Sequence, residues 1–274
     1  MRASDALPVI VEVMPEGDVV WRTARDLHEA LAGRDLTRSD FRVPRFATAD
    51  LTGRAVIESV SRGKHLLTRV DGDITVHTHL KMDGSWRVSP AADYPLRDHK
   101  IRLILANSQW QAVGFLLGVV ELIRTSNEDR AIGHLGPDLL GPDWDAAEAV
   151  RRLTAEPERT IGEALLDQRN LAGIGTIYRA ETLFLRGVNP WTLAGDVADL
   201  SALVDLASRL LNANKARGPT VTTGNTARGA HLWVYGRAGQ PCRRCGTTIM
   251  RGELGPALEE RIAVWCPRCQ PAGG

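Results

Sequence analysis

The sequence predicts an α+β fold, with a helix and a β-sandwich domain first, then a helical domain and a C-terminal β-hairpin held by metal. Three observations predict this order. Short alternating apolar segments separated by Gly, Asp and Pro fill the first half of the chain, as in antiparallel sheet proteins. Longer segments with apolar residues every three to four positions fill the second half, as in amphipathic helices. Two CxxC pairs lie close together near the C-terminal end.

The β-rich half is preceded by one amphipathic helix. The spacing of Val20, Ala24 and Leu27 predicts a helix over 15–31, because these side chains fall on one face. Pro15 suits its first turn and Gly33 its end. The strands predicted after this helix are Val56–Val60, His65–Val70, Ile74–His79, Trp86–Ser89, Ile101–Leu105 and Val119–Arg124.

Two Gly-Pro turns within 134–143 mark the predicted boundary between the domains. The helices predicted beyond it are Asp145–Thr154, Ile161–Gln168, Ile177–Leu185 and Asp196–Ala213. Gly173 and Gly175 form a turn between the second and third of these, where the backbone can approach another group closely. The N–H groups that begin the next helix would make a phosphate site, although the glycines alone equally fit a plain helix–helix turn.

Composition and charge narrow the class of protein. The chain has 274 residues, 43% hydrophobic and 24% charged, and no apolar run of eighteen residues, so no membrane span is expected. Residues 1–13 make a poor signal peptide, which favours the cytoplasm. The net charge is only +1, but nine Lys or Arg face three Glu from Lys215 to Gly274. This basic segment fits either a phosphate-binding module or an ordinary solvated surface.

All four cysteines belong to one predicted zinc site. They form two CxxC pairs separated by twenty residues, which is long enough for a hairpin. Disulfides are not expected in a reducing cytosol, and a redox CxxC normally occurs singly. Because four thiolates fill all tetrahedral positions, we expect one structural Zn²⁺ rather than a catalytic ion. The predicted ligands are Cys242, Cys245, Cys266 and Cys269.

Several motifs together resemble the formamidopyrimidine-DNA glycosylase/endonuclease VIII family of base-excision repair enzymes, and most closely its actinobacterial endonuclease VIII branch. They occur in family order over nearly the whole chain, and together they make chance agreement negligible. The motifs are Met14–Gly17, Ser61–His65, His79–Gly84, Leu135–Asp138, a helix–two-turn–helix segment over 165–178, and Val234–Arg237 followed by the two CxxC pairs. The implied boundaries are an extension over 1–13, a catalytic β-sandwich domain over 14–126, a linker over 127–145, a helix–two-turn–helix domain over 146–230 and a zinc finger over 231–274.

The resemblance implies a bifunctional DNA glycosylase/AP lyase that removes oxidised bases and cuts the strand by β(,δ)-elimination. Pro15 is the implied nucleophile once it is the first residue, since a terminal amine has a pKa of roughly 8 and is easily deprotonated. Glu16 is the implied acid and base. Lys64 and Arg261 are implied to act in catalysis by binding the DNA phosphates that flank the lesion. The implied partner is damaged DNA carrying a lesion or abasic site, and a monomer is expected.

The resemblance also implies further DNA contacts and a substrate class. Met82 matches the apolar wedge that fills the gap left by a flipped base, and Gly175 and Thr176 match the phosphate-binding turn. The family usually has Asn at the position of Thr176. Members specific for oxidised purines carry an arginine-containing loop where this chain has 113–118, and a Lys where it has Gly162. Both differences favour oxidised pyrimidines.

The start of the chain leaves two functions open. Pro15 follows fourteen residues, and an internal proline has no amine with which to attack a sugar. We expect translation to begin at Met14, followed by removal of that methionine. If the extension is retained, a non-catalytic protein that binds DNA lesions on the same scaffold is the alternative. A general zinc-ribbon nucleic-acid module is a third and remote interpretation.

Overall fold

The computed structural model describes residues 15–91, 97–256 and 260–272. The predicted extension and Met14 therefore lie outside the described residues. The strands are β1 (Arg34–Asp35), β2 (Arg38–Phe41), β3 (Ala55–Arg62), β4 (His65–Val70), β5 (Ile74–His79), β6 (Ser85–Pro90), β7 (Ile101–Ala106), β8 (Trp110–Phe115), β9 (Val119–Arg124), β10 (Met250–Leu254) and β11 (Arg261–Trp265). The helices are α1 (Gly17–Leu31), α2 (Asp129–Ile132), α3 (Ala146–Leu153), α4 (Ile161–Ala164), α5 (Thr176–Arg186) and α6 (Leu200–Asn214).

Two antiparallel sheets and α1 form the first half of the molecule. One sheet has the strand order β1-β3-β4-β5-β9 and the other the order β2-β7-β8-β6. Their shared core contains Leu66 from the first sheet, Leu105 from the second and Leu27 from α1, each at most 1% exposed. This confirms the predicted α+β class, in which a β-sandwich is packed against an N-terminal helix.

The observed elements correct several predicted ones. The strands β1, β2 and β8 were missed, and the segment 113–118 is not one loop, because Val113–Phe115 complete β8. The helix predicted over Ile161–Gln168 ends at Ala164, whose carbonyl accepts a hydrogen bond from the Asn170 side chain at 2.9 Å. The helix predicted from Asp196 begins at Leu200 instead.

Helix α5 is the centre of the second half. Every residue from Thr176 to Phe184 is buried, so this helix packs on all sides rather than on one face. Leu183 belongs to a core that also contains residues of α3 and α6, whereas Phe184 belongs to a separate core with residues of the β10–β11 hairpin, including Val264. The helical domain and the C-terminal hairpin are thereby joined through one helix. Within the described residues, no helix is long and apolar enough to cross a membrane.

Candidate active site and metal centre

Glu16 lies where the two halves of the molecule meet. It precedes α1 directly, is only 2% exposed, and places its carboxylate at the N-terminus of α5. That carboxylate accepts hydrogen bonds from the N–H groups of Gly175 at 2.8 Å, Ile177 at 2.6 Å and Tyr178 at 3.3 Å. The contact joins residues about 160 positions apart in the chain and positions the neighbouring Pro15, which is half-buried, beside the same turn.

Burial raises the pKa of Glu16 from its ordinary value of 4.5 to about 7. Removal of the carboxylate from water disfavours its charge, whereas Lys64 and the backbone N–H groups favour the charge and only partly offset the burial. A carboxyl group with this pKa is present in both protonation states near neutral pH. It can therefore donate a proton in one step and accept one in the next.

These contacts correct one prediction about the phosphate site. The N–H groups of Gly175, Ile177 and Tyr178 are already occupied by Glu16, so they are not free to bind a phosphate. The close approach predicted at the two glycines is real, because a Cβ on Gly175 would lie 2.5 Å from the Glu16 carboxyl carbon. Gly173 accepts a hydrogen bond from Gly17 N–H at 2.8 Å.

Lys64 occupies the two-residue turn between β3 and β4. Gly63, at φ +58°, donates its N–H to the buried Asp138 carboxylate at 2.7 Å. On the same turn, Arg62 forms an ion pair with Asp143 at 2.5 Å. Both anchors belong to the segment 134–143, so the turn is fixed to the junction between the domains. Lys64 is a half-buried residue, and its ammonium group interacts electrostatically with both Glu16 and Arg261. Burial lowers the pKa of this ammonium group.

Arg179 is a buried cation that no sequence motif predicted. Its guanidinium is 1% exposed and donates to the carbonyls of Gly162, at 3.4 Å, and Ile262. Burial lowers its pKa to about 10. Through this side chain, α5 holds the strand β11, whose first residue is the exposed Arg261. No short motif predicts this link, since Arg179 stands in a segment that otherwise looks like an ordinary amphipathic helix.

Glu181 is a second buried charge of α5 that was not predicted. Its carboxylate accepts hydrogen bonds from three consecutive backbone N–H groups, at 2.8 Å from Trp233 and at 2.9 Å from both Val234 and Tyr235. Burial raises its pKa. The segment that leads into the cysteine-containing module is therefore fixed to the same helix that receives Glu16.

The four cysteines form one cluster, as predicted. The Sγ atoms of Cys242 and Cys269 are 4.0 Å apart, those of Cys245 and Cys266 are 3.5 Å apart, and all four lie within 4.8 Å of one another. Four thiolates bound tetrahedrally at about 2.3 Å from one ion would be separated by roughly 3.8 Å. The cluster is therefore able to hold a metal ion.

The remaining predicted contacts can be located in the structure, and their roles stay predictions. Met82 is 52% exposed in the turn after β5, so its side chain is available to a partner. Thr176 is the first residue of α5, and its buried hydroxyl oxygen has no hydrogen-bond partner among the described residues. At Gly162 a Cβ would lie 2.4 Å from the Leu254 side chain and 2.8 Å from the Pro190 carbonyl oxygen, which leaves no space for a lysine without rearrangement.

Comparisons with known proteins agree with this arrangement. Residues 14–113 match the formamidopyrimidine-DNA glycosylase N-terminal domain, and residues 135–223 match the H2TH domain of that glycosylase. A probable endonuclease 8 2 of Streptomyces coelicolor is 57% identical, with 94% of each chain covered. The DNA-(apurinic or apyrimidinic site) lyase Nei2 of Mycolicibacterium smegmatis is 46% identical over 94% of this chain and all of the relative.

A solved structure extends the likeness to the fold. The formamidopyrimidine-DNA glycosylase of Lactococcus lactis, bound to DNA containing an AP site, superposes with a TM-score of 0.79 at 26% identity. The match covers 94% of this chain and the whole of the other. The chain therefore belongs to the formamidopyrimidine-DNA glycosylase/endonuclease VIII family.

Proposed function

We propose that the protein is a bifunctional DNA glycosylase/AP lyase of base excision repair that removes oxidised bases, with pyrimidines favoured, and then cuts the strand. The observation that carries the proposal is the buried Glu16 carboxyl, whose pKa of about 7 suits an acid and base, directly beside Pro15 and near the Lys64 ammonium. Relatives named endonuclease 8 and AP lyase support the same activity.

Pro15 supplies the nucleophile when it is the first residue of the chain. Its neutral secondary amine attacks C1′ of the damaged nucleotide, and the base leaves with the electron pair of the glycosidic bond and takes up the proton that the new ammonium group loses. Protonated Glu16 then gives its proton to the sugar ring oxygen, and the opened sugar forms an iminium with Pro15. The Glu16 carboxylate, now without its proton, accepts a C2′ proton, and the 3′ phosphate leaves in β-elimination. A δ-elimination can follow at the 5′ side, and water finally hydrolyses the iminium and releases the amine.

DNA binding in this proposal involves charged and apolar groups at the junction between the domains. Lys64 and Arg261 bind the phosphates that flank the lesion, which fixes the sugar next to Pro15. Thr176, at the start of α5, approaches the DNA backbone, and Gly175 permits this close approach while its own N–H stays bound to Glu16. The exposed Met82 fills the gap left by the flipped base. The protein acts as a monomer on chromosomal DNA, which makes the bacterial cytoplasm the proposed compartment.

We further propose that the cysteine cluster holds one Zn²⁺ with a structural role. Four thiolates and no water position leave no site for chemistry on a substrate. The described part of the C-terminal module has one small two-stranded sheet, β10–β11, which is too small to be stable by packing alone. A bound ion would hold the hairpin, and with it Arg261, in a fixed position.

Covalent trapping with borohydride tests this function. A chain beginning at Pro15 is incubated with abasic-site DNA and reductant, beside a chain that retains 1–14 and therefore has no amine at Pro15. We expect a trapped complex and strand cleavage only with the first chain. If the chain beginning at Pro15 is not trapped, Pro15 is not the nucleophile. If both chains bind the lesion without trapping, the non-catalytic lesion-binding protein is the correct function.

The mass of the protein from its native source decides which form exists in the cell. A mass that corresponds to a chain beginning at Pro15 is expected. A mass that includes residues 1–13 would contradict translation from Met14 with loss of the methionine.

A further inference from the structure

Asp18 is a second acid side chain buried in the first turn of α1, two residues after Glu16. The residue is only 1% exposed. Its Oδ2 atom accepts the Tyr178 hydroxyl at 2.9 Å and the Thr220 hydroxyl at 3.3 Å. Among the described residues, its Oδ1 atom has no hydrogen-bond partner. The two groups that donate to this carboxylate are therefore neutral hydroxyls, and neither of them cancels its charge.

Tyr178 of α5 contacts both acid side chains. Its backbone N–H donates to the Glu16 carboxylate at 3.3 Å, and its hydroxyl donates to Asp18. A residue of α5 therefore fixes the positions of two carboxyl groups of α1. Because two packed helices hold these groups, they cannot move apart without disrupting the junction between the domains.

The segment that follows α6 covers Asp18 and separates it from water. Thr220 lies on this segment, and Asn214 at the end of α6 holds the next residue along the chain. The Asn214 side chain accepts the N–H of Val221 at 2.8 Å and donates to the Val221 carbonyl at 3.0 Å. Since Asp18 and Glu16 are both buried, little water screens the interaction between them, and a charge on Asp18 acts strongly at Glu16.

We propose that Asp18 is a positioning residue for the reaction, whose buried negative charge keeps the transferable proton on Glu16 until the substrate takes it. This inference rests on the proposed function, because it takes Glu16 as the acid and base. Two like charges in one water-poor site repel each other, so a charged Asp18 favours the neutral form of its neighbour. Asp18 acts through Glu16 and needs no contact with DNA.

The other charged groups around Glu16 show why such a residue is useful. Burial is the largest cause of the raised pKa of Glu16, and the charge of Asp18 acts in the same direction. Lys64, from the β3–β4 turn, and the backbone N–H groups at the start of α5 act in the opposite direction. Arg179 of α5 also interacts electrostatically with Glu16. The two cations favour loss of the Glu16 proton, and Asp18 offsets part of their effect.

The charge of Asp18 assists both proton transfers of the proposed reaction. In the first, Glu16 gives its proton to the sugar ring oxygen, which keeps the electron pair of the broken C1′–O bond. Glu16 is then a carboxylate beside a second carboxylate, and repulsion between them makes it a stronger base. In the second transfer Glu16 accepts the C2′ proton, and the electron pair left on the sugar expels the 3′ phosphate.

The pH dependence of strand cleavage tests this role. A chain beginning at Pro15 is mixed in excess with abasic-site DNA, and the single-turnover rate is measured between pH 5.5 and 9. Asp18→Asn removes the charge but keeps an oxygen that accepts from both hydroxyls. We expect the alkaline limb of its profile to move about one unit toward lower pH, so that the rate on that limb falls about tenfold. Asp205→Asn, which changes an exposed carboxyl of α6, should keep the limb of the parent.

Tyr178→Phe makes the complementary change, because it removes a hydrogen bond to Asp18 and leaves the charge. A charge that acts on Glu16 predicts that the limb moves in Asp18→Asn and stays in Tyr178→Phe, even if the latter is slower at every pH. A purely structural role for Asp18 predicts a uniform loss of rate in both variants. A limb that stays in place in Asp18→Asn would therefore overturn the inference while the proposed function stands.

Carboxyl ¹³C spectra of the free protein give a readout that does not depend on activity. Glu16 should titrate near pH 7 in the parent and about one unit lower in Asp18→Asn, whereas the Asp18 carboxyl should be ionised throughout the titration of Glu16. If Asp18→Asn does not fold, the parent alone decides, because an Asp18 that stays protonated while Glu16 titrates would refute the proposal. If the parent does not cleave abasic DNA, the proposed function fails, and these spectra still test the effect of Asp18 on Glu16.

Discussion

The pH dependence of stability at Glu16 provides a direct test of the site. In the folded protein this carboxyl has a pKa of about 7, against 4.5 when it is exposed. Between these pH values Glu16 holds a proton in the folded state and releases it in the unfolded state. The contribution of Glu16 to the free energy of unfolding is therefore greatest below pH 4.5 and is lost as pH rises through 7. The loss between pH 5 and pH 8 is about 2–3 kcal/mol, at 1.36 kcal/mol for each unit of pKa difference.

Replacement of Glu16 by Gln removes this dependence. Glutamine offers one acceptor oxygen where the carboxylate offers two, so its amide nitrogen would face the N–H of Gly175 or Tyr178. We expect Glu16→Gln to be less stable than the parent at pH 5 by about 1–3 kcal/mol, the cost of a buried donor left unsatisfied. Because the parent alone loses stability as pH rises, the difference should shrink by about 2–3 kcal/mol at pH 8.

Urea unfolding followed by circular dichroism at several pH values measures the free energy of unfolding of the parent and of Glu16→Gln. Glu158→Gln, which changes an exposed carboxyl, should follow the parent at every pH. If the difference in the free energy of unfolding between the parent and Glu16→Gln stays constant or grows with pH, the hydrogen bonds from the three backbone N–H groups keep the Glu16 carboxylate ionised. The argument for Glu16 as a proton donor would then be refuted. In the lyase assay, Glu16→Gln should lose a factor of about 10²–10⁴.

Three other changes test how the site is held. Gly63→Ala places a Cβ at a backbone φ of +58° and 3.0 Å from Ala172 Cβ. We expect the free energy of unfolding in urea to fall by about 1–3 kcal/mol, and DNA binding to weaken because the turn that carries Lys64 moves. Unchanged DNA affinity would contradict this role for the turn. Arg179→Met leaves two carbonyls without their donor and should destabilise by about 2 kcal/mol, with faster amide exchange in β11; protection of β11 as in the parent would exclude this link. Cys245→Ser should lower the zinc content measured by mass spectrometry and reduce DNA affinity, and full zinc occupancy would remove Cys245 from the ligand set.

The local pattern of apolar and turn residues predicted some strands and helices correctly and missed others. Strands such as β4 and β5 were predicted with their observed limits, because turn residues bound them and their apolar side chains alternate. The strand β8 was missed because Trp110–Phe115 is almost continuously apolar and contains Gly114, so it has no alternation to detect. The last long helix was predicted to begin at Asp196, four residues before its observed start at Leu200. It begins there because Asp199 caps it by accepting the N–H of Ala202 at 2.8 Å.

The sequence by itself determined the features that depend on residue type and short spacing. The four cysteines must approach one another because each CxxC pair can present two thiolates to one ion, and the motif order was sufficient to recognise the family. Helix α1 followed from the apolar spacing of residues such as Val20 and Leu27. These features are local, so the nearest neighbours in the chain contain the information that specifies them.

Only the tertiary structure decided what surrounds each charged group. The contact of Glu16 with the start of α5 spans about 160 residues, and its pKa follows from burial that no local pattern encodes. Arg179 and Glu181 looked like the polar face of an amphipathic helix, yet α5 is buried on every side and both charges are bound by backbone groups. The free energy of a charge depends on its solvation and its partners, which are set when distant segments pack together.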